Sequence, residues 1–178
     1  MIRSQFGEKK IFICGFMGCG KTTVGKLLSK KMNFSFKDTD SLIEQSEKMT
    51  VSEIFSIKGE KYFRSLETEI LYEISSSSET SEVISTGGGI VLSSENFELM
   101  KKCGITIYLS SSPETILSRI NVKTRPLLKN LTENQLKEKI NSMLKERSMK
   151  YNLCDKIVET DGLTAEQVSE RIFNMIFF

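Results

Sequence analysis

Residues 15 to 22 read Gly-Phe-Met-Gly-Cys-Gly-Lys-Thr, and no other stretch constrains the chain as much. They fit the pattern G-x-x-x-x-G-K-[ST]. In it, glycines let successive backbone N–H groups turn inward around phosphate oxygens, and the following helix adds the positive end of its dipole. The flanks agree. Ile11-Phe12-Ile13-Cys14 is an apolar run that reads as a buried strand, and Val24, Leu27, Leu28 and Met32 leave the loop at helical spacing. Gly18, Cys19, Gly20, Lys21, Thr22 and Thr23 are therefore expected around the phosphates of a nucleotide. Lys21 is expected to reach the β- and γ-phosphates, and Thr22 to offer its hydroxyl to Mg²⁺. A plain glycine turn between a strand and a helix requires neither the Lys-Thr pair nor this setting.

Apolar stretches alternate with helical patterns beyond the loop. Ile11–Cys14, Phe34–Phe36, Val83–Ser85, Ile105–Leu109 and Lys156–Glu159 read as five short strands. Helical segments between them predict an α/β fold with a mainly parallel sheet and helices on both faces. Thr50 with Glu53, Thr132 with Gln135 and Thr164 with Gln167 have capping-box spacing, and Pro113 after Ser112 suits a helix start. Two helices without an intervening strand are expected between Met49 and Ser75, so a region of about 41–75 reads as an insertion. Asn121 to Asn130 lacks an apolar period and carries Arg125-Pro126, which suits a mobile lid over about 121–131. The 178 residues are read as one domain, 1–178, with a movable flap.

Composition narrows the chemistry. The formal net charge is +2, from 25 basic and 23 acidic side chains, so no nucleic-acid footprint is expected. The chain has no histidine, which removes Ser-His and Cys-His nucleophile mechanisms. Four cysteines at 14, 19, 103 and 154 have no zinc-ligand spacing. No stretch resembles a signal peptide or spans a bilayer, so a cytoplasmic protein without membrane contact is expected, and a monomer.

Further groups fall where ligands bind in parallel sheets, beyond the carboxyl ends of strands. Asp38-Thr39-Asp40 follows the second strand. One acid there can hold a metal-bound water and the other can accept a hydrogen bond from an attacking hydroxyl; either can instead cap a helix, Asp40 for one starting at Ser41. Arg64 and Glu67 lie one helical turn apart, as an ordinary surface pair or as an arginine held ready for a carboxylate near Phe55 and Phe63. Gly87-Gly88-Gly89 follows the third strand and permits close backbone approach to a ligand, or serves as a flexible turn. Arg147 shares its helix face with Ile140, Met143, Leu144 and Tyr151, so it needs an anionic partner or must snorkel. Arg119 and Arg125 flank the lid, from which an arginine can stabilise a transferring phosphoryl group.

Taken in order, G-F-M-G-C-G-K-T, D-T-D, I-F-x-x-x-G-E-x-x-F-R-x-x-E, G-G-G, R-P-L-L and R-x-x-x-Y resemble the shikimate kinase family, over roughly Ile11 to Asp161. The resemblance implies a P-loop kinase fold with strand order 2-3-1-4-5. It also implies ATP-dependent phosphorylation of the shikimate 3-hydroxyl, a step toward chorismate and the aromatic amino acids. On this likeness Asp40 binds the substrate hydroxyls and is the candidate base, and Asp38 acts on the Mg²⁺ hydration shell beside Thr22. Arg64, Gly87, Gly88, Gly89 and Arg147 hold shikimate, with Glu67 orienting Arg64. Lys21 and Arg125 stabilise the γ-phosphoryl charge, and Arg119 stacks on adenine. Thr160-Asp161-Gly162 lies near a second adenine loop of the family. A gluconate kinase, a nucleoside monophosphate kinase and a regulatory nucleotide-binding module are the competing readings. A gluconate kinase would lack the R-P-L-L and R-x-x-x-Y pair. A nucleoside monophosphate kinase would need a site for a second base, where Arg64 and Arg147 suit a compact anion. A regulatory module would not account for Asp40 with two arginines.

Overall fold

The computed structural model describes residues 10–120, 128 and 131–177. Five parallel strands form one sheet in the order β2-β3-β1-β4-β5: β1 Lys10–Gly15, β2 Ser35–Asp38, β3 Glu82–Ser85, β4 Gly104–Ser110 and β5 Lys156–Glu159. The order is the one expected. β1 occupies the centre, with Ile13 opposite Ser85 on one side and Ile107 on the other. All six of its residues are buried, which is why its sequence is a near-continuous apolar run.

Strand side chains alternate between faces, and the two cores follow that alternation. Phe12, Cys14, Ile84 and Tyr108 join one core with Leu66, Ile70 and Leu71 of α4 (Gly59–Ser76) and Phe97 and Met100 of α5 (Ser94–Cys103). Ile11, Ile13, Val83, Ile107 and Leu109 join the other, with Val24 and Leu28 of α1 (Lys21–Met32) and Val168 and Ile172 of α8 (Ala165–Phe177).

Between β2 and β3 the chain makes three consecutive helices: α2 (Thr39–Glu47), α3 (Val51–Ile57) and α4. The two helices expected after Met49 are present. Thr50 opens α3 with a complete capping box to Glu53. Helix α2 starts at Thr39, two residues before the start at Ser41 offered as one alternative, and β2 runs over Ser35–Asp38 where the apolar pattern suggested Phe34–Phe36. The register explains the shift. Lys37 and Asp38 continue the ladder opposite Ile84 and Ser85, so two charged residues belong to an edge strand.

α6 (Pro113–Arg119) starts with the Ser112 hydroxyl capping Thr115 N–H, and α7 (Glu133–Tyr151) has the Thr132–Gln135 capping box. The third box, Thr164 with Gln167, opens α8. The expected lid falls largely outside the described residues, and Arg125 lies there. Leu128 is buried against Phe16, Ile116, Ile140 and Met143. At the amino end of the sheet, buried Glu82 pairs with Lys10 at 3.4 Å and with Lys37. The opposite, carboxyl end carries the polar cleft.

Candidate functional site

Because β2, β3 and β1 are neighbours, the segments leaving their carboxyl ends also lie side by side. Those segments are Thr39-Asp40, Thr86–Gly89 and the 15–22 loop.

The loop has the backbone its motif requires. Gly18 and Gly20 have φ of 83° and 96°, a left-handed region in which a Cβ is strained. Gly20 thereby becomes the N-cap of α1, and among the described residues no side chain caps that terminus by hydrogen bond. Lys21 is largely buried and donates from Nζ to the Phe16 carbonyl at 3.0 Å, which sets its ammonium against the loop. Thr22 Oγ1 donates to Asp38 Oδ2 at 2.8 Å and lies 3.4 Å from Ser85 Oγ.

The alternative roles of the two acids separate here. Asp38 is the helix cap: its Oδ1 accepts from Ser41 N–H at 3.2 Å, and α2 begins at Thr39. The suggestion that Asp40 caps a helix starting at Ser41 is therefore corrected. Asp40 stands in the first turn of α2. The hydroxyl of fully buried Thr39, between the acids, accepts from Gly87 N–H at 2.9 Å and so ties α2 to the glycine segment.

Two cavities meet at Asp40. One, of about 480 Å³, is bordered by Lys21, Thr22, Asp38, Asp40 and Ser85. The other is bordered by Asp40, Arg64, Glu67, Arg147, Gly87–Gly89 and the apolar side chains Met17, Val51, Phe55 and Phe63. They also share Met17, Val51 and Gly88. A phosphate-facing compartment thus adjoins one with an apolar wall and two guanidinium groups, a composition that suits a small anionic ring.

Arg64 is held from two sides. Its Nη1 donates to Glu67 Oε2 at 2.7 Å, while Nε and Nη2 reach Glu60 Oε1 at 3.3 and 2.8 Å. Its guanidinium carbon lies 5.5 Å from the Phe63 ring centre. The surface-pair reading does not survive, because Glu67 is 0% exposed. Burial pushes the Glu67 carboxyl up to about 7, against the lowering influence of Arg64. Burial also opposes the charge on Arg64, but Glu67 and Glu60 outweigh it and hold the guanidinium above its ordinary value.

Arg147 does not snorkel, and the acceptor its hydrogen bond reaches among the described residues is a backbone carbonyl, not an acid. It is 4% exposed and donates from Nη1 to the Gly88 carbonyl at 3.0 Å, with its guanidinium carbon 5.4 Å from the Phe16 ring centre. Among the described residues its buried Nε has no hydrogen-bond partner. The glycines are required by these neighbours. A Cβ on Gly87 would sit 2.4 Å from Glu67 Oε1, and one on Gly89 would sit 2.5 Å from Arg64 Nη1.

Arg119 lies apart from the two arginines. It borders a third cavity, of about 300 Å³, with Cys19, Gly20 and Thr23 of the loop on one side and Thr160, Leu163 and Thr164 on the other. Sequence reasoning missed Met17, Val51 and Thr39. Met17 and Thr39 lie inside the loop motif and the D-T-D signal but carry neither the glycine nor the charge that marks them, and Val51 belongs to no such signal. No group of three or more potential ligands among the described residues forms a protein-built metal cage.

The sequence and the fold resemble those of known proteins. A family model for shikimate kinase matches residues 17–177. A shikimate kinase from Thermodesulfovibrio yellowstonii is 44% identical over 165 residues, covering 92% of each chain. One from Sulfurihydrogenibium is 42% identical over 169 residues, covering 94% of this chain and 98% of its own. Among solved structures, a shikimate kinase from Acinetobacter baumannii in complex with shikimate superposes with a TM-score of 0.88. It is 35% identical, over 94% of this chain and 92% of that one. A gluconokinase from Sinorhizobium meliloti shares the fold alone, at 12% identity and a TM-score of 0.58. By sequence and by fold, the chain belongs to the shikimate kinase family.

Proposed function

We propose that this protein transfers the γ-phosphoryl group of ATP to the 3-hydroxyl of shikimate, giving shikimate 3-phosphate and ADP on the route to chorismate and the aromatic amino acids. One observation carries the reading: Asp40 joins the phosphate-loop cavity to the compartment that contains Arg64 and Arg147.

In this reading Arg64 and Arg147 hold the shikimate carboxylate, and Glu67 keeps Arg64 aimed. Val51, Phe55 and Phe63 face the ring, and Gly87, Gly88 and Gly89 admit it close to the backbone. Asp40 binds the ring hydroxyls and accepts the proton of the 3-hydroxyl as its oxygen bonds to phosphorus. A loose transition state asks more of Asp40 as an orienting group than as a strong base. Gly18 to Thr23 cradle the ATP phosphates, Lys21 and Arg125 offset the γ-phosphoryl charge, and Arg119 stacks on adenine.

Thr22 and Asp38 fit Mg²⁺, since their oxygens lie 2.8 Å apart beside Lys21. So few protein ligands suit an ion that keeps most of its water and relies on substrate phosphates. Bound there, Mg²⁺ supplies positive charge to the β- and γ-phosphate oxygens. Residues 1–178 act as one catalytic unit, a cytoplasmic monomer, with 41–75 on the shikimate side and 121–131 closing over the nucleotide. No helix among the described residues is long and apolar enough to cross a membrane.

The test is a coupled assay of ADP release with shikimate as the only acceptor. ADP should appear in proportion to shikimate, and not with gluconate or nucleoside monophosphates. Equal turnover with either alternative, or ADP release independent of shikimate, contradicts the reading.

A further inference from the structure

The glycine segment poses a mechanical problem. Side chains at 87 and 89 would strike Glu67, Asp40 and Arg64, so the chain can carry none there. Three consecutive glycines are also the backbone least able to hold its own geometry. Yet the Gly88 carbonyl is the acceptor from which Arg147 takes its direction.

That carbonyl has a second, closer donor. Tyr151 lies one helical turn beyond Arg147 on α7, and its hydroxyl reaches Gly88 O at 2.5 Å. The Tyr151 ring is 1% exposed and stacks on Tyr108 of β4, with ring centres 4.6 Å apart and planes 7° from parallel. Burial pushes the phenol up, partly offset by Arg147, so the hydroxyl stays protonated and remains a donor. The segment's other hydrogen bonds among the described residues fix other atoms: Gly87 N–H donates to Thr39 Oγ1, and the Gly87 and Gly89 carbonyls accept from Ile90 N–H and Leu92 N–H.

We propose that Tyr151 is a positioning residue for shikimate: its hydroxyl, braced by the stack on Tyr108, fixes the Gly88 carbonyl and through it the aim of Arg147. The inference rests on the reading of Arg147 as a shikimate-binding residue. Phe at 151 keeps the ring stack and removes only the hydroxyl, and the Gly88 carbonyl retains Arg147, so no buried acceptor is orphaned.

Tyr151→Phe, Arg147→Ala and the double variant form a cycle that tests it. Tyr151→Phe should raise the shikimate KM by roughly three- to tenfold, the loss of one hydrogen bond, with kcat and the ATP KM nearly unchanged. In the Arg147→Ala background the same change should add almost nothing. An unchanged shikimate KM, an equal rise in the ATP KM, or additive effects overturn the proposal. So does loss of folding in Tyr151→Phe, which would make the hydroxyl a stability element. If Arg147→Ala alone leaves the shikimate KM unchanged, the reading of Arg147 fails and this inference falls with it. If Arg147→Ala raises it and Tyr151→Phe does not, only the inference fails.

Discussion

Glu67→Gln is expected to flatten the dependence of stability on pH. Glu67 is fully buried beside Arg64, with Asp40 and Arg147 also acting on it. Burial lifts its carboxyl from 4.5 in the unfolded chain to about 7 in the folded one. Between those values the folded protein keeps a proton that the unfolded chain has released. The contribution is therefore complete below about pH 4.5 and is lost as pH rises toward 7. At about 1.36 kcal/mol per pH unit, the whole difference amounts to about 3 kcal/mol. Most of it, roughly 2 to 3 kcal/mol, falls between pH 5 and pH 8. The window is unusually clear because the chain has no histidine to titrate within it. Urea unfolding of both proteins at pH 5 and pH 8 measures the effect. The wild type should lose about 2 to 3 kcal/mol more than the Gln variant over that interval. Parallel losses in the two proteins would refute the argument that burial of this carboxyl outweighs its pairing with Arg64.

Lys21→Ala should lower kcat at least about a hundredfold by removing charge at the γ-phosphate, and near-normal turnover would contradict the loop assignment. Asp40→Asn should reduce kcat while the melting temperature holds, because Asp38 and not Asp40 caps α2; a large drop in melting temperature with activity retained would reverse that assignment. Gly89→Ala tests the fit around Arg64. Gly89 has φ of −105°, which alanine tolerates, but the new Cβ would lie 2.5 to 2.7 Å from the guanidinium atoms. Arg64 must then move, and the shikimate KM should rise about tenfold with the ATP KM unchanged, as for loss of a charge-assisted hydrogen bond; equal effects on both substrates would place Arg64 outside the shikimate compartment.

Much of this architecture can be read from the chain because each signal is local. The phosphate loop announces itself through glycines whose φ values only glycine adopts easily, between a strand buried on both faces and a helix with a clear apolar stripe. All three capping boxes appear where their spacing places them. What escapes the sequence is set by partners distant along the chain. β2 extends to Asp38 because β3 offers it a ladder, and Lys37 and Asp38 carry no apolar signal of their own. α2 shows only weakly in a mostly polar sequence, with Leu42 and Ile43 turned toward the core, so its start and its cap could not be told apart. Arg147 is visible as an oddity on an apolar face. Its acceptor, a backbone carbonyl 59 residues away in sequence, leaves no trace in the pattern around it. The same holds for the Tyr108–Tyr151 stack, which joins a strand to a helix across the carboxyl end of the sheet.

Lys21 and Thr22 of the phosphate loop, Asp40, Arg64 and Arg147 line two adjoining cavities, and in the proposed function they serve a single transfer. A crystal structure of the protein with shikimate and ADP tests it most directly. The shikimate carboxylate should lie between Arg64 and Arg147, with the 3-hydroxyl within hydrogen-bonding reach of Asp40 and facing the loop that holds ADP. Shikimate bound with its carboxylate away from both arginines, or its 3-hydroxyl turned from the loop, would contradict it.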